Sequence, residues 1–316
     1  MEQTTAVHKR KMTRNVLMNS FSFMGLITVA VLFEILTKGR LFSSRNVMNI
    51  FNNFYTIGLA AMVYTFLMAL GEIDLSIGGI VGISAALGAF AGKIDPVLIL
   101  PACLLTGIAA GALNGLCVSR LNITSFIGTL AISFILRGIT TWALNGSVGI
   151  PASMRIYDQN WIKITVFVLF VIVFYILFEH CAYGKYCRAV GASKSAAEQS
   201  GVKVAKTRFQ AFLLVGTVSG LVGFFTLIRA FTASSSTGNA FEFDVLLAVL
   251  FGGMPLSGGW PVRFRSAVIG AVTMAILKSG MSLIGMNGLT QAVVKGAILI
   301  SVVAISFDRK NAGVIK

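Results

Sequence analysis

Apolar residues in this chain run on for 14 to 22 positions at a time, separated by short polar breaks. Neither strand alternation nor a single-faced helical stripe explains such runs. A helix needs about 20 mostly apolar residues to cross a hydrocarbon core roughly 30 Å thick. That ruler predicts ten spans: Val16–Leu36, Ile50–Leu70, Ile77–Ala91, Val97–Val118, Ser125–Leu144, Trp161–Leu177, Gln210–Phe231, Phe243–Leu256, Ser266–Ile284 and Leu289–Phe307. The third and eighth are short. The first has a basic flank, but it is longer than a signal-peptide core and ends in no small-x-small cleavage site, so it reads as a retained helix. The pattern predicts an all-α polytopic membrane protein. A basic tail over 1–15 precedes a membrane domain over 16–307, which is interrupted by a polar loop over 180–209 and followed by a tail over 308–316.

Composition agrees with this class. Charged residues are 12% of the chain, against roughly 25% in soluble domains. The formal charge of +15 would suggest nucleic acid in a soluble protein. Placed on the spans, the cations report topology instead. With both termini inside, 16 of the 26 Lys and Arg fall in inner segments, 5 in outer segments and 5 within or beside spans, as the positive-inside rule requires. The Lys38–Arg45 loop runs against the trend. No nucleic-acid partner follows, and the exposed apolar faces imply membrane lipid as the surroundings.

Glycine makes up 33 residues. Helices in lipid associate through close approach at small residues. Gly107, Gly111 and Gly115 form one such stripe in the fourth span, and Gly216 and Gly220 another in the seventh; both predict tight helix packing.

Two breaks interrupt the apolar pattern. Ile73-Asp74-Leu75-Ser76-Ile77-Gly78-Gly79 follows the second span, and Pro255-Leu256-Ser257-Gly258-Gly259 ends the eighth. Each places Leu-Ser just before paired glycines, an echo of the kind that internal duplication leaves in transporters. Uncoiled backbone at membrane depth survives only where protein or water satisfies it, so the breaks border an aqueous path or the inner surface. The 180–209 loop carries six cations from Lys185 to Arg208. Within it, Ser193–Val202 predicts a short helix with Ser193 as N-cap and Gly201 as stop. It reads as a solvated basic loop facing anionic headgroups, or as a helix that docks into a partner.

Enzymatic chemistry finds no foothold. The chain has no Gly-x4-Gly-Lys-Ser/Thr phosphate loop, only His8 and His180 as histidines, no cluster with metal spacing, and no catalytic residue set. No bound cofactor or metal is expected, and Glu72 and Asp74 are the one intramembrane carboxylate pair the spans offer.

Five blocks stand out in order: Ile73-Asp74-Leu75-Ser76-Ile77-Gly78, Gly128-Thr129-Leu130 with Arg137-Gly138, Gly184-Lys185-Tyr186 through Ser200-Gly201-Val202, Glu242-Phe243-Asp244 with Leu256-Ser257-Gly258-Gly259, and Val294-Lys295-Gly296. On these blocks the chain resembles the permease subunits of ribose-type (monosaccharide) ABC importers, within the branched-chain amino acid/ribose permease superfamily. The resemblance covers roughly residues 45 to 310. It implies a passive membrane half of an importer in the bacterial inner (plasma) membrane. The partners it implies are a second permease subunit, identical or not, a separate ATPase that binds ATP and Mg, and an extracytoplasmic sugar-binding protein. Ala192, Ser193, Ala196, Ala197, Glu198 and Gly201 would then couple to the ATPase. Departures at Glu72, Met254-Pro255, Trp260-Pro261 and Gly191-Ala192-Ser193 leave the cargo open among pentoses, hexoses, sugar-like signals and nucleosides. An ion-coupled secondary transporter is the competing class.

Candidate pathway or gating residues follow from polarity within the spans. Asp74 either caps the third span through the N–H of Ser76 or Ile77, or contacts substrate. Arg137 either pairs with an acid or headgroup or lines the path. Asn53, Asn114 and Ser133 are interhelical hydrogen-bond or solute positions, and Ser76 and Ser257 lie in the two breaks. Lys278 and Lys295 lie near span ends, within snorkelling reach. Few converging polar groups and no acidic cluster predict weak intrinsic affinity for sugar.

Overall fold

The computed structural model describes residues 22–306 apart from 145 and 261, so the tails at 1–15 and 308–316 and the start of the first span lie outside the described residues. Each of the ten apolar stretches contains a helix where described, although the eighth leaves the helical conformation after Phe251. Helix α1 (Ser22–Leu36) leads through a turn to α2 (Ser44–Leu70). A break over 71–76 precedes α3 (Ile77–Gly92), followed by a single 3-10 turn, α4 (Ile99–Ser119) and α5 (Ser125–Ala143). After β1 (Ser147–Gly149) and a 3-10 segment come α6 (Asn160–Tyr175), a π-turn at Ile176–His180, α7 (Ala182–Ala192) and α8 (Lys194–Gln199). The chain continues with α9 (Val204–Ala230), β2 (Thr232–Ser234), α10 (Phe241–Phe251), α11 (Phe264–Leu283) and α12 (Gly288–Ser306).

Among the described residues, six helices are long and apolar enough to cross a membrane: α2, α5, α9, α11, and α4 and α6 with their flanking turns. Burial sorts them. The apolar windows of α2 and α9 are 83% and 72% buried, whereas those of α4, α5 and α6 are 17–28% buried. The first two form the bundle axis, and the last three turn apolar side chains such as Phe134, Leu105 and Val168 outward. In water such surface would be untenable; in lipid it is the expected solvent face.

The glycine stripes of α4 and α9 pack against each other. A Cβ on Gly111 would stand 2.9 Å from the Cα of Gly216, and one on Gly107 would stand 2.8 Å from the Cα of Gly220. Any side chain there would force the helices apart. Gly115 lies one turn further along, against Phe209.

Several elements depart from the sequence expectation. Short strands β1 and β2 pair antiparallel, Val148 opposite Ala233, and close one end of the bundle; this end is termed the strand face. The opposite end carries α7 and α8 and is termed the loop face. Helix α7 is an 11-residue helix inside the segment expected to be loop, its polar composition masking buried Gly184, Cys187, Arg188 and Val190. The eighth span begins at Phe241 and ends at Phe251. Eleven residues rise only about 17 Å, half a bilayer core. Helix α10 starts deep because residues 235–240 descend along α3: Gly238 abuts Gly78, and the Thr237 carbonyl would stand 2.7 Å from a Cβ on Gly82.

Candidate functional site

Three polar assemblies lie along the bundle. The first is at the loop face, where the two breaks meet. Helix α2 ends in a Schellman-type cap: Gly71, at φ 73°, donates its N–H to Met68 at 3.2 Å, and the Glu72 N–H reaches Leu67 at 2.9 Å. The left-handed backbone turns the chain back under the helix. There Gly71 packs on Gly258 and on the Ser257 carbonyl, which would lie 3.1 Å from a Cβ on Gly71. The N–H of Gly259 donates to the Ala69 carbonyl at 2.8 Å. Gly191, in the last turn of α7, fits between the Ala69 carbonyl and the Gly259 nitrogen with no room for a methyl.

Ion pairs fasten this junction. Glu179 accepts from Arg188 of α7 at 2.8 Å and from the N–H of Phe264, the first residue of α11, at 3.1 Å. The Arg188 guanidinium also stacks over Phe178 and Trp260. Glu72 binds Arg208 of α9 at 2.5–2.6 Å. One unit therefore joins α7, the end of α2, both breaks and the starts of α9 and α11.

Helix α8 hangs from this unit. Ser193 caps it, its hydroxyl accepting from the Ala196 N–H at 3.4 Å, and Gly201 at φ 82° ends it. Ala192, Ser193, Ala196, Glu198 and Gly201 are exposed, whereas Ala197 is 4% exposed and faces the protein's own core. Of the six residues the resemblance assigns to coupling, five present an outer surface and Ala197 seats the helix.

The second assembly satisfies the first break. Asp74 accepts from the Ser76 N–H at 2.7 Å and from the Ser76 hydroxyl at 2.6 Å, an Asx-type turn that leads into α3. Asn114 of α4 donates to the same hydroxyl at 2.6 Å. The Tyr64 hydroxyl accepts from the Asp74 N–H, and Thr129 accepts from the Leu75 N–H. These groups are almost fully buried. Side chains thus replace the helical bonds that the break forgoes.

The third assembly surrounds the deep start of α10. Arg137 lies 12 residues into α5, about 18 Å along its axis. Its guanidinium binds both carboxylate oxygens of Glu242 at 2.8 and 3.0 Å, the Gly238 carbonyl at 3.3 Å, and Asn239. Two residues on, the buried Asp244 pairs with Lys278 of α11 at 2.7 Å and with Lys295 of α12. Toward the strand face, Asn53, Thr56, Arg229, Ser236, Asn239 and Lys278 line a cavity of about 150 Å³. Of the sequence-derived candidates, Asn53 lines this cavity and Arg137 lies beside it. Asp74, Ser76 and Asn114 form a separate cluster, Ser133 packs its backbone on Gly79, and Ser257 is exposed on the loop face.

Here the sequence reading needs correction. Glu72 and Asp74 are not the only carboxylates at membrane depth, because Asp244 is buried in the bundle and Glu242 is half-buried beside it. Lys278 and Lys295 do not snorkel: they turn inward onto Asp244, since an unpaired carboxylate there would carry a large desolvation penalty. Converging polar groups line the cavity, and they come from four segments of chain, α2, α9, residues 235–240 and α11. Among the described residues, no cluster of His, Cys, Asp and Glu could hold a metal ion.

An axial helix pair of high burial, with apolar-surfaced helices around it and ion pairs both at the loop face and within the bundle, defines a multi-pass membrane protein. The family model described as "Branched-chain amino acid transport system / permease component" matches residues 46–303, and the chain belongs to this family. It is similar to the ribose import permease protein of Bacillus subtilis (strain 168), at 29% identity over 98% of this chain and 99% of the relative. The ribose import permease protein of Escherichia coli (strain K12) is 27% identical over 98% and 100%, and the L-arabinose ABC transporter permease protein of Azospirillum brasilense 29% over 87% and 84%. No solved structure matches the chain.

Proposed function

We propose that the chain forms the translocation pathway of an ATP-binding-cassette importer for a monosaccharide or related small polar solute. Family membership and sugar-import relatives support this reading over an ion-coupled secondary transporter. The chain crosses the bacterial inner (plasma) membrane ten times with both termini and the loop face in the cytoplasm, as the charge distribution favours. It works with a second permease subunit, a separate ATPase that holds ATP and Mg, and an extracytoplasmic sugar-binding protein.

The observation that carries the mechanism is the Gly191–Ala69–Gly259 junction. A partner that moves α8 moves α7, and α7 has no slack against α2 or the second break. The push reaches α2 and α3 through one break and α10 and α11 through the other, so both halves respond together. Such a junction suits a switch between two packings rather than gradual bending. The coupling surface is Ala192, Ser193, Ala196, Glu198 and Gly201, with Ala197 as its inner seat. The path passes Asn53 and Arg137, with Ser133 behind it. Asp74, Ser76 and Asn114 hold the first break, and Ser257 the second.

Proteoliposomes holding the chain with its ATPase and binding protein test this. Sugar uptake that requires both ATP and the ATPase supports the reading. Uptake driven by an ion gradient without the ATPase overturns it.

A further inference from the structure

The strand-face cavity has a chemical bias. Two of its lining side chains are cationic, Arg229 and Lys278, and none of its lining residues is acidic. Arg229, Ser236 and Asn239 are exposed at its mouth, while Lys278 lies half-buried at its floor. Among the described residues, the surrounding charge does not cancel. Asp244 is shared between Lys278 and Lys295, so one positive charge of that trio is uncompensated. Arg137 and Glu242 neutralise each other. Asp158 acts on Arg229 electrostatically, but its carboxylate is paired with Lys163 at 2.6 Å. The hydrogen bond from Arg229 to Asn53 is long, 3.4 Å, and readily given up to a better acceptor.

Surplus positive charge inside a membrane protein is expensive and marks ion or solute paths. A cavity of about 150 Å³ holds several waters, at roughly 10–15 Å³ each, and so has room for the charged group of a sugar whose ring extends out past Arg229, Ser236 and Asn239 at the mouth. Two cations converge there beside carboxamides and hydroxyls. Hydroxyls and amides suit the alcohol groups of a sugar; the cations suit a carboxylate or phosphate, to which charge-assisted hydrogen bonds are about twice as strong as neutral ones.

We propose that this cavity is a substrate subsite selective for anionic monosaccharides, a sugar acid or a sugar phosphate, with Arg229 and Lys278 as its charge-reading residues. This deepens the importer reading and rests on it. It goes beyond the sugars in the relatives' names.

The test is equilibrium binding to the full chain in lipid nanodiscs, with D-gluconate, glucose 6-phosphate and D-glucose as probes. Either anion is expected to bind at least tenfold more tightly than glucose; gluconate alone points to a sugar acid, glucose 6-phosphate alone to a sugar phosphate. Lys278→Gln and Arg229→Gln should each weaken anion binding about tenfold and glucose binding much less, so that the preference for the anion collapses, while Lys278→Arg should retain it. If Lys278→Gln fails to fold, Arg229→Gln at the exposed mouth decides. Equal binding of glucose and both anions, binding of none of the three, or a preference that survives Arg229→Gln overturns the proposal. No ATPase takes part, so loss of charge preference beside intact ATP-driven uptake rejects this inference alone. Anion binding beside ATP-independent uptake rejects the importer reading instead.

Discussion

The backbone N–H of Gly259 donates to the carbonyl of Ala69 at 2.8 Å, joining the second break to the end of α2, just before the first break. At the same point Gly191 closes the gap from the side of α7. A Cβ at Gly191 would overlap backbone atoms, which cannot move aside as a flexible side chain can. Gly191→Ala is therefore expected to separate α7 from α2. Membrane insertion should persist, while ATP-coupled uptake falls at least tenfold. Uptake measured in proteoliposomes at matched protein levels checks this; wild-type rates would mean that the junction transmits nothing.

The α4–α9 contact makes a stability prediction. Gly111 and Gly216 face each other with less space than a methyl needs. Overpacking of this kind typically costs about 1–3 kcal/mol, so Gly216→Ala should lower the thermal midpoint of the detergent-solubilised chain. Gly296→Ala, whose Cβ would meet nothing within 4 Å, should leave the midpoint in place.

Arg137 and Glu242 form an ion pair at membrane depth, with side chains 25% and 12% exposed. Removing one partner leaves the other charge uncompensated in poor solvent. After allowance for that partial exposure, Arg137→Gln or Glu242→Gln should each destabilise the fold by roughly 2–3 kcal/mol. The double substitution should be less damaging than the sum of the singles. Thermal unfolding of all four proteins gives the cycle, and strict additivity would show that the pair does not interact.

Ser76 links Asp74 to Asn114 through one hydroxyl. Ser76→Ala leaves the Asn114 amide without that acceptor, at a cost of about 1–3 kcal/mol. The change should appear as loss of stability and faster amide exchange over 73–80, with α8 unaffected. Unchanged exchange there would show that the Ser76 hydroxyl does not hold the break.

Bilayer thickness imposes long apolar runs, and for that reason the helices were legible from the sequence. The capped helix from Ser193 to Gly201 and the two breaks were equally plain, because Ser, Gly and Pro mark chain ends locally. The meeting of the breaks was not legible, since nothing local to Gly71 names Gly258 as its neighbour. Glu242 fell outside the expected eighth span because apolar counting begins that helix at Phe243, whereas its first turn starts at Phe241 deep in the bundle. Lys278 and Lys295 were misread because distance from a span end says nothing about which way a side chain turns. Helix α7 was hidden by its cations: Arg188, one of them, is buried against Glu179 and two aromatic rings. Ala197 looked like surface in a polar loop, yet it is the residue on which α8 rests.

The central claim is that α8 couples this chain to an ATPase. Ala196 is exposed at the centre of that helix, so Ala196→Arg adds bulk and charge to the docking surface without disturbing the chain's own core. The most direct measurement is co-purification of the ATPase with wild-type and Ala196→Arg permease, with ATP-driven uptake assayed on the same preparations. Loss of both, with an unchanged thermal midpoint for the permease alone, is the predicted result. Full assembly and full uptake in the variant would contradict the account.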